Sequence, residues 1–170
     1  MRVDELRGAI RGVEIGSSKA TVARWFGSYG GTPTAYPSEP LDADDQHDTG
    51  GPWSVVTGPH HLGPGGLRGE QVTLRYPGAA FFVHNDRVFG FLISAKGART
   101  SKDVGIGDRL RRIRSAYPQL TCAGAIHGDT SATQAPRCSG LTAQGRLLYF
   151  GGDPVRSITV MEHRESYYDY

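Results

Sequence analysis

The stretch DADDQHD brings Asp42, Asp44, Asp45, His47 and Asp48 together within seven residues, and His60 and His61 follow a dozen positions on. Clustered carboxylates are oxygen donors suited to calcium, and imidazoles suit zinc, so metal binding or metal-dependent hydrolysis is the first chemistry to weigh. The spacing lacks the glycine at the sharp turn and the closing glutamate of an EF-hand loop, and adjacent histidines rarely address one ion. The segment therefore reads as a solvated acidic loop, with no metal and no cofactor expected.

A hydrolase needs a nucleophile, a base and oxyanion donors within reach of one another. Ser139 with His127 and Asp129, or Cys138 with His127, supply the right side-chain types. None of them sits in a nucleophile elbow or another catalytic motif, and GDTSATQ after His127 reads as a loop, so no catalytic residue is assigned. GPGGLRG at 63–69 lacks the Lys-Ser/Thr ending of a phosphate loop. The helical segment RLRRIRS carries Arg109, Arg111, Arg112 and Arg114 around Leu110 and Ile113. With Asp103 and Asp108 beside it and no interleaved aromatics, it reads as the wet side of an amphipathic helix, and no nucleic-acid partner is expected.

The aromatic residues point instead to binding. Trp25, Tyr29, Tyr36 and Trp53 crowd one region, and Trp and Tyr often anchor protein interfaces. Tyr29, Tyr36, Trp53, His60 and His61 are the candidate binding residues. The ordinary alternatives are that Trp25 packs in the core and that Trp53 plugs its segment against a sheet.

The elements that would position these residues follow from a repeated phrase. VEIGSSKATVARWFG from Val13 and VGIGDRLRRIRSAYP from Val104 align at a constant offset of 91, pairing Ile15 with Ile106, Gly16 with Gly107, Val22 with Ile113 and Phe26 with Tyr117. Ser17 or Asp108 would cap a short helix, which ends at Gly27 or Pro118. Downstream of the first copy, QVTLRY, AAFFVH and RVFGFLIS read as strands, with Asn85-Asp86 as a tight hairpin turn. Downstream of the second copy, RLLYFGGDPVRSITVME reads as a hairpin turning at residues 152–154. Residues 30–69 form a Gly/Pro/Asp-rich insertion with one short strand at 53–56, and a loop so long is unusual unless it is functional or poorly ordered.

A chain of 170 residues can bury a core without metal help, and 24 Gly with 10 Pro favour turns and strands over long helices. The net charge of +2 is too small to require a polyanionic partner. No apolar run is long enough to span a membrane, and MRVDELRGAI lacks the basic head and apolar middle of a signal peptide, so a secreted form would have lost its leader upstream. Cys122 and Cys138 read as a disulfide whose loop of 16 residues would stabilise the fold by about 3 kcal/mol in the chain-entropy model, with a buried free pair as the alternative. A bridge would imply an extracellular or cell-envelope location.

Gly, then Ser or Asp, then a short helix closing on aromatic-Gly or aromatic-Pro, resembles the unit shared by the β-lactamase-inhibitory protein and the small outer-membrane assembly lipoproteins. Val13, Ile15, Gly16, Ser17, Val22 and Gly27 carry the match in the first half, and Val104, Ile106, Gly107, Asp108, Ile113 and Pro118 carry it in the second. Cys122 and Cys138 resemble the bridge such units hold within one half. The first half has no cysteine, the second lacks Gly at the helix end, and the insertion has no counterpart. The resemblance implies a concave antiparallel sheet that binds another protein, with no catalytic residues to carry over.

The expectation is thus an α+β protein of two related helix-plus-antiparallel-sheet units in tandem sharing a core. Its divisions are 1–98 with the insertion at 30–69, 99–162, and a tail at 163–170. The expected role is non-catalytic binding of another macromolecule, a protein partner, through the sheet face and the insertion. A metal-dependent enzyme using the Asp/His-rich insertion and a structural subunit of an extracellular assembly are the rivals.

Overall fold

The structure is a computed structural model that describes residues 1–27, 71–123 and 136–162. Strands β1 (Val3–Asp4), β2 (Ala9–Ile10) and β3 (Val13–Glu14) form a small antiparallel sheet, and helix α1 (Lys19–Phe26) follows. Then come β4 (Gln71–Tyr76), β5 (Ala79–His84), β6 (Arg87–Ile93), helix α2 (Leu110–Ala116), β7 (Thr121–Ala123), β8 (Arg137–Leu141), β9 (Arg146–Gly151) and β10 (Ser157–Glu162). These seven strands make one antiparallel sheet in the order β4-β5-β6-β10-β9-β8-β7.

This architecture overturns the expected α+β tandem. Among the described residues strand far outweighs helix, and the two helices have only 8 and 7 residues. The physical reason lies in β10, which bonds β9 along one edge and β6 along the other, through Ile158 opposite Ile93 and Val160 opposite Phe91. Strands from both halves of the chain thereby satisfy one another's backbone groups in a single sheet, so no unit keeps a sheet of its own.

Local chemistry explains the turns. Asn85 and Asp86 both adopt positive φ, 46° and 62°, the backbone that a two-residue I′ hairpin demands between β5 and β6. The register of that pair slips between Phe82 and Val83, with Phe82 opposite Gly90 and Val83 opposite Val88, so Phe89 is the extra residue of a bulge.

The repeated phrase forms the same clasp twice. Gly16 and Gly107 have φ of 95° and 92°. The Gly16 N–H donates to the Val88 carbonyl at 2.7 Å, and Val88 returns a bond to Ser17 O at 2.8 Å. Gly107 and Val155 do likewise, at 2.9 Å, with Val155 bonding Asp108 O at 2.8 Å. The likeness carries on into α1 and α2, which start at Lys19 and Leu110, but it does not extend upstream of the turn. The first copy leaves the three-stranded sheet through β3, whereas Val104 and Gly105 belong to no strand of either sheet. The caps also differ from expectation: Ser18, not Ser17, accepts the Thr21 N–H at 3.3 Å, and Arg109, not Asp108, occupies the α2 cap without a side-chain bond.

Period-two alternation sends Phe81, Phe91, Val160, Leu148 and Phe150 to one face, and all are fully buried. Phe26 at the end of α1 meets Phe81 edge-on at 4.7 Å, and Tyr117 after α2 meets Phe150 at 5.6 Å. Both helices therefore cover the same face of the sheet. Burying side chains of this size contributes about 1.5–3 kcal/mol each.

Candidate functional site

The second face of the seven-stranded sheet carries the alternate residues. Ala80 and Phe82 of β5 lie opposite Leu92 and Gly90 of β6, these opposite Thr159 and Met161 of β10, and these opposite Tyr149 and Leu147 of β9. Leu141 of β8 closes the row opposite Leu147. Neither described helix packs there. Phe82 and Phe89 meet at 6.0 Å between ring centroids, Met161 is buried, Phe89, Leu92, Leu147 and Tyr149 are half-buried, and Leu141 is 42% exposed. Burial raises the Tyr149 phenol above its usual pKa, and the Arg137 charge offsets part of that rise. Thr159 sits in the middle of this apolar face, fully buried, and its hydroxyl has no hydrogen-bond partner among the described residues.

At one end of the sheet a cleft of about 350 Å³ opens between the Ile15–Gly16 turn and the ends of β5, β6, β9 and β10. Its polar walls are Arg87, Arg146, Glu162 and His84. Antiparallel register brings them together: Glu162 lies opposite Arg146, and His84 opposite Arg87. The Arg87 Nη1 donates to the Gly16 carbonyl at 3.0 Å, and the Arg146 Nε to the Leu6 carbonyl at 3.1 Å. Neither guanidinium forms an ion pair among the described residues.

The arginines near α2 behave differently. Asp108, 11% exposed, takes Arg99 at 3.0 Å and Arg112 at 2.9 Å, and its Oδ2 also accepts the Gly105 N–H at 2.9 Å. Arg109 faces Asp153 at 3.8 Å. The row that could grip phosphate therefore spends Arg109 and Arg112 on carboxylates of its own chain. Nearby, fully buried Glu5 receives the Tyr117 hydroxyl at 2.6 Å and the Ser101 N–H at 3.0 Å, which pins the β1–β2 turn to the end of α2. Burial first, and the Glu5 hydrogen bond second, hold the Tyr117 phenol well above the usual tyrosine range.

The candidate binding residues Tyr29, Tyr36, Trp53, His60 and His61 lie outside the described residues, as do Asp42, Asp44, Asp45, His47, Asp48, His127 and Asp129. Ser139 is on β8, opposite Tyr149. Among the described residues no three His, Cys, Asp or Glu side chains gather as a metal-holding group. Cys122 and Cys138 form a disulfide, joining β7 to β8 where they are direct cross-strand partners. Trp25 is 51% exposed rather than core, and its indole lies so close over Gly12 that a Cβ there would clash with the ring. Sequence reasoning missed the cleft, because Arg87, Arg146 and Glu162 share no motif. The only available signal was their position at strand ends.

No helix among the described residues is long and apolar enough to cross a membrane. No protein-family model, curated protein or solved structure matches this chain.

Proposed function

We propose that the protein is a non-catalytic binding protein that engages a protein partner through the second face of the seven-stranded sheet together with the 30–69 segment. The observation that supports this is the apolar row from Phe89 and Leu92 through Leu147 and Tyr149 to exposed Leu141, on a face that neither described helix covers. Leu141 at the end of the row is exposed, and the aromatic members of the row are of the kind that anchor interfaces. The Cys122–Cys138 bridge adds support for a place outside the cell or in the cell envelope, where disulfides persist.

Affinity capture from a native extract with the wild type, Leu147→Asp and Trp53→Ala, each checked for folding by circular dichroism, tests the reading. A carboxylate placed on the apolar row should abolish recovery of the partner, and loss in Trp53→Ala would extend the interface to the 30–69 segment. A partner held equally by wild type and Leu147→Asp would sink the reading.

A further inference from the structure

The cleft at the sheet end differs from the apolar face in chemistry, and what it suits does not depend on the protein-binding reading. Its volume of about 350 Å³ falls at the small end of ligand pockets, which run roughly 300–1,000 Å³. Space is also open at Gly16, where an added Cβ would meet no heavy atom within 4 Å.

A guanidinium carries five N–H donors in a rigid fork, and in both Arg87 and Arg146 one donor is held by a backbone carbonyl. Such a bond fixes the plane of the group while leaving further donors for a ligand. Arg87 of β6 and Arg146 of β9 both line the cleft, on the strands either side of β10, one bound to the Ile15–Gly16 turn and the other to the β1–β2 turn. The contrast with Arg99 and Arg112, both on Asp108, shows that this chain does neutralise arginines where it uses them for structure. Glu162 in the same lining opposes a second negative charge, which disfavours a phosphate dianion and suits a monoanion. Planar carboxylates match the guanidinium fork, and Ile15, Val88 and Phe89 supply apolar wall for the remainder of the ligand.

We infer that this cleft binds the carboxylate of an organic acid with an apolar body, held between Arg87 and Arg146. The acid is either a free small molecule or the carboxyl end of a peptide.

Backbone amide shifts in ¹⁵N NMR, followed during titration of the whole chain, test this. The probes are phenylacetate, its neutral analogue phenylacetamide, a tetrapeptide ending in Phe as the acid and as the amide, and inorganic phosphate. Saturable shifts at Gly16, Val88 and Phe89 with an acid are expected, weakened about tenfold or more in the matching amide and in Arg87→Gln, as loss of a charge-assisted contact implies. Saturation by phenylacetate identifies the free acid as sufficient, whereas saturation by the tetrapeptide acid alone identifies a chain terminus. Arg87 is exposed, so Arg87→Gln keeps the test valid even if Arg146→Gln, which loses the tie to Leu6, fails to fold. Absence of saturable shifts with either acid, equal binding of acid and amide, tighter binding of phosphate, or an unchanged Arg87→Gln would overturn the inference.

Discussion

Two groups of arginines in this protein meet opposite fates. Around α2, Arg99 and Arg112 converge on Asp108, while Glu5 nearby collects Tyr117 and Ser101. At the sheet end, Arg87 and Arg146 face a cleft and bond only backbone carbonyls among the described residues. The first arrangement is closed: its donors and acceptors answer one another inside the fold. In the second, the guanidiniums keep donors that no described residue takes up. Binding sites tend to be left in that state, because donors satisfied internally have nothing to offer a ligand.

Substitutions should separate the two regions by what they change. The largest effect is expected from Asp108→Ala, which removes the shared partner of two guanidiniums and of the Gly105 N–H. A cost of about 2–4 kcal/mol in urea unfolding is expected for a network of charge-assisted bonds. An unchanged midpoint would show that the closed region is not what holds α2.

Tyr117→Phe comes next, with a cost of about 1–3 kcal/mol because the buried Glu5 carboxylate loses a donor. Its pH signature is more telling than its size. The phenol is raised in the folded state, so its contribution is fully present below the ordinary tyrosine pKa of 10.0 and is lost as pH rises from there toward the folded value. Wild type should lose stability in alkali above about pH 10, and Tyr117→Phe should lose less, with Tyr149, also raised by burial, accounting for part of what remains. Parallel alkaline curves for the two proteins would contradict this assignment.

Smallest in stability is Arg87→Gln. An exposed side chain without an ion pair among the described residues should change unfolding by no more than about 0.5 kcal/mol while altering ligand response. A large loss of stability in this variant would erase the distinction between the two regions.

Parts of this fold were legible in the chain. AAFFVH and RVFGFLIS around Asn85-Asp86 form the β5–β6 hairpin, since both turn residues tolerate the positive φ that the turn requires. VGIGD and VEIGS each form the same glycine clasp, so that repetition of letters corresponds to repetition of hydrogen bonds. It does not correspond to repetition of units. The short strands β1, β2 and β3 had no visible signal, because two residues cannot display an alternation. The cleft was invisible for a related reason: its polar walls come from four strands, and each residue alone is an ordinary polar strand end.

The sequence by itself determined the local turns, the apolar alternation of the long strands and the pair of cysteines able to bridge. Dihedral preferences, capping and side-chain period act within a few residues and need no knowledge of the rest of the chain. Only the tertiary structure decided that β10 lies between β6 and β9, that both helices cover one face, and that two arginines end beside a cleft while two others end on Asp108. An alternating strand specifies which residues share a face, but its partner is chosen by which faces bury one another best, a competition settled across the whole molecule.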